Sequence, residues 1–271
     1  METSAQFDGF RHAHKLAVFG SCPPWWMSAT LEDSRLTTVA HPKPAAGWPK
    51  LELGHAERSS GHAHELFEAR KPVEKHPLSL HGETKKNYAQ KLAKDIKDNH
   101  QPNTLTLVIV NRVCRAQEIY EALMTGKKPV DAPTKIALIH SRFRPVDRQK
   151  HAELLKAEGD RIVVATQAVE AGVDLSARLL ITELAPWSSL VQRFGRFNRR
   201  AEHNRNAQIL WVDIEPKDEK DELTLPYAQE ELREARKAIR TLEDASPSAL
   251  RKIEVAEKPV VRPVIRRRDL I

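Results

Sequence analysis

The middle of the chain alternates apolar, strand-like runs with amphipathic helical segments. Apolar side chains at four-residue spacing predict a helix over 87–99, with Tyr88, Leu92 and Ile96 on one face. The run 104–110 is almost continuously apolar, which is typical of a parallel strand covered on both faces. The same pattern predicts further strands at 135–140, 161–166, 178–184 and 207–213, and helices at 113–123 and 145–156. This alternation predicts an α/β fold with a parallel sheet flanked by helices.

The flanking segments lack this alternation and divide the chain into four predicted parts. Residues 41–64 are rich in Pro, Gly, Ala, Ser and His, and predict a linker. The regular region, 65–215, is the predicted main domain. Residues 1–40 precede the linker, and residues 216–271 form a charged helical or extended C-terminal segment with a helix candidate at 227–242.

The composition indicates the kind of binding partner and the cellular compartment. The formal net charge is +7, which favours a polyanionic partner. The two cysteines, Cys22 and Cys114, suit a reducing cytoplasm and form no metal-ligand pattern. No apolar run approaches the roughly 20 residues of a membrane helix, and the N-terminus has no signal-peptide character. We therefore expect a cytoplasmic protein with no membrane partner.

Two His-x-His pairs are the only metal candidates in the sequence, at 12–14 and 62–64. Both pairs lie in irregular segments without a pattern of partner carboxylates, so polar loops explain them better than a metal site. We predict no metal ligands.

One arginine-rich segment carries the most distinctive candidate chemistry. Projected on a helix, Gln192, Arg196 and Arg199 fall on one stripe. The opposite face is apolar and includes Leu190, Phe194 and Phe197. Guanidinium groups keep their charge and bind phosphate through paired donors, so the stripe predicts a phosphate-binding device such as an arginine finger. A basic surface helix is the alternative.

Four other polar segments complete the set of candidate sites. They are Ser28 to Thr30, Asn111 with Arg112, His140 with Ser141 and Arg142, and the segment from Thr166 through Gly172 to Asp174. Three of them follow predicted strands, where α/β sheets place their ligands. Hydroxyl, imidazole and guanidinium groups suit contact with a sugar–phosphate backbone. A glycine permits close backbone approach, and an aspartate accepts from a ribose hydroxyl. Taken singly, each segment is also explained by a turn, a helix cap or a polar loop.

In this order, on an α/β pattern, the segments resemble the second half of a superfamily 2 helicase motor. The similar motifs are motif III at 28–30, motif IV at 111–116, motif V at 166–174 and motif VI at 192–199. The Asn198-Arg199 ending and the 140–143 segment resemble the CRISPR-associated helicase–nuclease of type I interference systems. The segments 3–6 and 25–30 also resemble its subtype I-G (formerly I-U) branch. The fold that this resemblance implies is RecA-like.

The resemblance also implies roles for individual residues in a 3′-to-5′ DNA helicase of antiviral defence. Arg196 and Arg199 would reach the γ-phosphate of ATP, with Gln192 hydrogen-bonding nearby. Gly172 and Asp174 would form part of the nucleotide edge, and Ser28 and Thr30 would couple nucleotide state to domain closure. The residues implied to follow single-stranded DNA are Asn111, Arg112, His140, Ser141, Arg142 and Thr166. The DNA would be exposed by a guide-RNA surveillance complex.

The sequence lacks parts that the whole enzyme needs. It has no phosphate loop, no Asp-Glu motif for Mg²⁺ and no His-Asp nuclease motif. We therefore expect a fragment that is inactive alone, with 1–40 a remnant of a first RecA-like domain and 65–215 the second such domain. ATP and Mg²⁺ would bind only in the complete enzyme, with the Mg²⁺ ligands outside this chain. An inactive, truncated nucleic-acid-binding module and a fragment of an RNA helicase of the same superfamily are the alternatives.

Overall fold

The fold is built on a parallel sheet of six strands. The computed structural model describes residues 54–125, 134–141, 155, 159–170, 173–219, 221–253 and 255, which all lie in one compact unit, Gly54–Glu257. The strands are β1 (Val73–Lys75), β2 (Leu105–Ile109), β3 (Lys135–Ile139), β4 (Arg161–Ala165), β5 (Leu179–Glu183) and β6 (Gln208–Val212). Their order is β1-β6-β5-β2-β4-β3, and every pairing is parallel. The predicted α/β class is confirmed.

Helices cover the sheet and extend past its last strand. They are α1 (His55–Arg58), α2 (Gly61–Phe67), α3 (Tyr88–Asn99), α4 (Val113–Thr125), α5 (Trp187–Phe194), α6 (Gln229–Arg240) and α7 (Pro247–Leu250). Short 3₁₀ turns lie at Lys85–Asn87, Gln167–Val169 and Glu222–Thr224. Apart from Leu155, the predicted helix at 145–156 lies outside the described residues. None of the helices in the described ranges is both long and apolar enough to cross a membrane.

The central strands are buried on both faces, as their continuous apolar runs predict. Val108 of β2 lies between Val164 of β4 and Ile181 of β5, and all three side chains are almost fully buried. Helix α3 packs its predicted apolar face inward, because Leu92 and Ile96 have no exposed surface. These residues belong to one continuous core that extends across the sheet.

Two features near the start of the described region were not predicted. Strand β1 has only three residues and pairs with β6, where Val73 lies opposite Ile209. A three-residue edge strand with one buried side chain gives no detectable alternation. Helix α1 and the start of α2 lie within the predicted linker, and neither helix has a buried residue, so they leave no hydrophobic pattern in the sequence.

A buried carboxylate attaches the C-terminal segment to the edge of the sheet. The Asp213 side chain is fully buried and lies 3.2 Å from Lys75 Nζ, 2.8 Å from Arg236 Nε and 3.4 Å from an Arg240 Nη. Burial raises the pKa of Asp213, but Arg236 and Lys75 outweigh it and the pKa is lowered. Because α6 also buries Leu232 and other apolar side chains in the core, this helix packs onto the domain.

Candidate functional site

The arginine-rich segment is a helix followed by a turn. Helix α5 ends at Phe194, so Arg196 and Arg199 lie beyond it and the predicted single helical stripe is wrong. The chain then runs beside Ala177, which donates from its N–H to Arg196 O (3.0 Å) and accepts from Asn198 N–H (2.9 Å). We call residues 195–200 the arginine turn. The apolar face is placed as predicted, with Phe194 and its neighbours in the apolar set fully buried.

The turn fixes one arginine internally and leaves another accessible. Arg196 donates from Nε to Val169 O (3.1 Å) and from Nη2 to Glu170 O (2.8 Å). Burial lowers the pKa of Arg196, the charge of Arg199 adds to this, and Asp174 opposes it. The Arg199 side chain is 45% exposed, with Nε 3.6 Å from Asp174 Oδ1. Three residues predicted to share a nucleotide site therefore lie close together, with Arg199 and Asp174 exposed and Arg196 partly buried.

A second carboxylate contact completes this cluster. Arg200 Nη2 donates to Asp174 Oδ2 at 3.0 Å, and both side chains are largely exposed. Asp174 thus carries two guanidinium partners, and neither contact is buried. Exposed ion pairs of this kind contribute about 0–1 kcal/mol, so an anion with more charge than a carboxylate can replace Asp174 at little cost.

Directly beneath the turn, Arg193 is the centre of a buried polar network. Its side chain has 0% exposure. Its donors bond to Glu170 Oε1 (2.8 Å), Thr182 Oγ1 (2.9 Å), Glu183 O (3.0 Å), Asn111 Oδ1 (3.1 Å) and Tyr227 OH (3.4 Å). One side chain therefore joins α5 to the ends of β2 and β5, to the turn after β4 and to the C-terminal segment.

Asn111 and Glu183 form the other half of the network. Asn111 donates from its backbone N–H to Glu183 Oε2 (2.7 Å) and from Nδ2 to Leu184 O (2.8 Å). Glu183 Oε2 also accepts from Arg115 Nη2 at 2.8 Å. Burial lowers the pKa of Arg115, but Glu183 outweighs it and the pKa is raised. We call Arg193, Arg115, Glu183, Glu170 and Asn111 the buried arginine network.

Those residues predicted to follow DNA that the structure describes lie at one edge of the sheet, where its strands have their carboxyl ends. Asn111, His140 and Thr166 follow β2, β3 and β4, which are neighbours, and Thr166 N–H bonds to Ile139 O at 3.0 Å. All three are buried, whereas Ser141 is exposed. Arg112 is partly exposed and donates from Nη1 to Glu222 O at 3.3 Å. The edge is therefore partly covered by the C-terminal segment, a contact that the sequence did not predict.

Several predicted site residues remain without a structural description. Ser28, Thr30, Arg142 and Gly172 lie outside the described residues.

The remaining predicted residue of the arginine stripe, Gln192, lies on α5 and is partly buried. Within the described ranges, no group of three or more His, Cys, Asp or Glu side chains is placed to hold a metal ion.

The region that contains the arginine turn also has recognisable relatives. Residues 102–202 match the family model for the C-terminal region of the CRISPR-associated nuclease/helicase Cas3. This segment is Cas3-like. The chain is 39% identical over 99 residues to the CRISPR-associated helicase Cas3 of Thermoproteus tenax, covering 35% of this chain and 16% of that protein. It is 42% identical over 119 residues to a putative CRISPR-associated nuclease/helicase Cas3 of Myxococcus xanthus, covering 42% and 15%.

Solved structures agree with the Cas3-like assignment at the level of the fold. The structure of T. fusca Cas3-AMPPNP matches with a TM-score of 0.51 at 22% identity, over 64% of this chain and 22% of that one. A CRISPR-associated protein matches with a TM-score of 0.51 at 19% identity, over 74% and 24%. The predicted RecA-like fold and the resemblance to the CRISPR-associated helicase–nuclease are confirmed. The I-G subtype stays a prediction. The chain spans only 15–16% of the length of the two curated relatives described above.

The Cas3-like segment contains the whole arginine turn, but two of its supports lie outside it. Tyr227 OH accepts from Gln167 Nε2 (3.1 Å) as well as from Arg193. Lys71 is 5% exposed, and its Nζ donates to Phe194 O (2.9 Å) at the end of α5. Sequence reasoning missed both because neither lies near a motif. Arg193 did leave a signal, since a helical projection places it beside the apolar Phe197.

Lys71 gives the stability of the domain a measurable pH dependence. Burial lowers the pKa of Lys71 from 10.5 to about 8, with Asp244 and Glu202 opposing this and Arg199 adding to it. Between these two pH values the unfolded chain binds the additional proton, so the free energy of unfolding should rise with pH. We expect a rise of about 1.5 kcal/mol between pH 8 and about pH 9.5, measured by urea unfolding.

The control for this prediction is another lysine of the same domain. Lys71→Met should remove the rise, whereas Lys91→Met, at an exposed position on α3, should retain it. Equal pH slopes in wild type and Lys71→Met would show that Lys71 is not the titrating group.

Proposed function

We propose that this chain supplies the second RecA-like motor domain of a Cas3-type DNA helicase in CRISPR type I interference. The observation that carries the proposal is the arginine turn, in which a backbone hydrogen-bonded to Ser176 and Ala177 presents an exposed guanidinium, Arg199, beside the strand-end segments. A surface helix selected only for charge would not need Arg196 bonded to two carbonyl oxygens beneath it. The likeness of residues 102–202 to Cas3 supports the same conclusion.

We assign Arg199 as the residue that contacts the γ-phosphate of ATP. Its guanidinium would exchange the Asp174 carboxylate for phosphate oxygens, which accept paired hydrogen bonds and carry more charge. Arg196 would act mainly by stiffening the turn after β4, because two of its donors are already bonded there. Gln192 would hydrogen-bond nearby, and Gly172 and Asp174 would border the nucleotide.

The donor set of this chain fits the triphosphate but supplies only half of its site. ATP provides the phosphoryl group whose transfer to water drives movement, and Mg²⁺ would be held by carboxylates of a first motor domain. Arg199 then neutralises charge that develops on the transferring group. Ser28 and Thr30 would couple nucleotide state to closure of the two domains.

The neighbouring ends of β2, β3 and β4 are assigned to single-stranded DNA. Ser141, Arg112 and Arg142 would contact phosphates, while the buried His140 and Thr166 would shape the edge. Asn111 would orient this edge from within the buried arginine network, since its side chain bonds to Arg193 and Leu184. Contact with the backbone and not with the bases suits a motor that moves 3′ to 5′ on any sequence. The substrate would be the strand unpaired by a guide-RNA surveillance complex.

ATP turnover in a chimera tests the motor assignment. Residues 54–257 would replace the equivalent domain of the Myxococcus xanthus relative, and we expect ATP hydrolysis stimulated by single-stranded DNA. The isolated chain should show no turnover, because it has no phosphate loop. DNA-stimulated hydrolysis by the isolated chain, or a folded chimera without any turnover, would contradict the assignment.

A charge-driven binding module is the second candidate, favoured by the net charge of +7. It predicts DNA binding that weakens steeply with salt, is independent of nucleotide and is unaffected by a first motor domain. Fluorescence anisotropy with labelled single-stranded DNA and RNA, across a salt series with and without ATP, separates the two candidates. Tighter binding to RNA than to DNA would favour an RNA helicase instead.

A further inference from the structure

The chain enters the sheet through a short segment that is bonded to residues of the arginine turn and the loop after it. We call residues 69–72, directly before β1, the lead-in segment. The N–H of Arg70 donates to Asn204 Oδ1 (3.0 Å), and the carbonyl of Arg70 accepts from Asn198 Nδ2 (2.8 Å). Both backbone polar groups of Arg70 are thus held by side chains that lie more than 120 residues later in the sequence.

Asn198 is the centre of this contact. It is fully buried and has a φ of 38°, in the left-handed region that asparagine tolerates better than most residues. Besides its bond to Arg70, its Nδ2 donates to Asn204 Oδ1 (2.7 Å), and its Oδ1 accepts from the N–H of His203 (2.9 Å). Every hydrogen-bonding group of the side chain therefore has a role in closing the turn.

The position next to Asn198 is Arg199. Its backbone N–H donates to Ser176 Oγ at 2.8 Å, so the main chain at this point is fixed from both sides. A glycine at 198 would allow the same backbone conformation without these side-chain bonds. The asparagine thus adds a connection to the lead-in segment that the conformation of the turn does not itself require.

We propose that Asn198 and Asn204 form a clamp between the lead-in segment and the arginine turn, and that Asn198 is a positioning residue for Arg199. Through this clamp, a displacement of the chain that precedes β1 is passed directly to the backbone that carries the guanidinium. The consequence for ATP turnover rests on the proposed function, whereas the clamp itself does not. Lys71, bonded to Phe194 O, supports the same connection from the end of α5.

Hydrogen exchange on the chain as it stands tests the clamp. Asn198→Gly keeps the backbone conformation but removes the three side-chain bonds. The amide of His203 loses its acceptor directly, and the amide of Arg70 loses the Asn198 Nδ2 donor that holds its acceptor, Asn204 Oδ1, in place, so both amides should exchange about tenfold faster. Asn103→Gly is the matched control, because Asn103 is exposed and has a φ of 59°. It should leave both amides unchanged. Unchanged exchange in Asn198→Gly would overturn the clamp.

Asn204 allows a rescue experiment. It serves only as an acceptor in the clamp, through one oxygen, and its side chain is at the surface. Asn204→Asp retains that oxygen and should keep the exchange of Arg70 at the wild-type rate. Asn204→Ala removes it and should accelerate exchange about tenfold. Equal rates in the two variants would overturn the assignment of Asn204.

The positioning role is measured in the chimera with the Myxococcus xanthus relative. Asn198→Gly should lower kcat for ATP about tenfold or more while KM stays within about twofold, since the loss falls on the transition state. Asn204→Asp should retain the wild-type kcat. Faster exchange with an unchanged kcat would overturn the positioning role. A wild-type chimera without turnover would contradict the motor assignment instead, and the exchange results would still decide on the clamp.

Discussion

Arg199→Ala is expected to lower kcat of the chimeric ATPase by about a thousandfold, the lower end of the range for arginine fingers in phosphoryl transfer. The reason is that Arg199 is the guanidinium of the arginine turn with an exposed side chain and a single weak carboxylate contact, at 3.6 Å. Affinity for single-stranded DNA should change little, because that binding is assigned to a different edge of the sheet. Steady-state ATP hydrolysis and DNA anisotropy on the same preparation measure both quantities.

Arg205→Ala is the control for this prediction. Arg205 is an exposed arginine in the loop after the arginine turn, so Arg205→Ala removes the same charge from the same region as Arg199→Ala. Its kcat should stay close to the wild-type value. If both substitutions lowered kcat equally, local charge would explain the effect and Arg199 would not be an arginine finger. A loss of DNA affinity that matched the loss of kcat would also contradict the assignment.

Arg193→Met is expected to lower the free energy of unfolding by about 3–5 kcal/mol, the usual cost of removing one partner from a buried ion pair. The methionine would fill part of the space but leave acceptors such as Thr182 Oγ1 and Asn111 Oδ1 without their bonds to Arg193. Arg193→Lys should be intermediate, because an ammonium has three donors and cannot reproduce the five contacts of the guanidinium. Urea unfolding of the isolated chain measures the change.

Arg233→Met provides the comparison, since Arg233 is exposed on α6. Its effect should stay within about 0.5 kcal/mol, as for most surface substitutions. An Arg193→Met variant within about 1 kcal/mol of the wild type would mean that the network relaxes around the loss and does not hold α5 in place.

The central part of the fold was predictable because its signals are local. Strands β2, β4, β5 and β6 coincide with apolar runs in the sequence, and their observed ends lie within one residue of the predicted ones. Helix α3 begins one residue after its predicted start and ends at the predicted residue. A parallel strand that is buried on both faces requires apolar side chains at consecutive positions, so the sequence alone is sufficient to predict these strands.

The shape of the site depended on contacts between distant residues, and a helical projection could not give it. The helical projection correctly placed Phe194 and Phe197 in the core, but it assumed that the helix continues to Arg199. The helical hydrogen bonds do not continue, because the N–H of Asn198 bonds to Ala177 O and not to Phe194 O, while Lys71 bonds to Phe194 O. Arg193 lay beside the apolar face in the same projection, and a charged residue there indicates a buried network rather than a surface stripe.

The pairing of β1 with β6 has a consequence for how this chain folds during synthesis. The two strands are separated by more than 130 residues, so β1 leaves the ribosome long before its partner exists. Contacts of such sequence separation form late and slowly. The lead-in segment and β1 therefore stay without their partners in the arginine turn and β6 until residues 198–212 have been synthesised. A chain whose synthesis stopped before that point would have an open sheet edge and no assembled arginine turn, and unpaired strand edges of this kind favour aggregation.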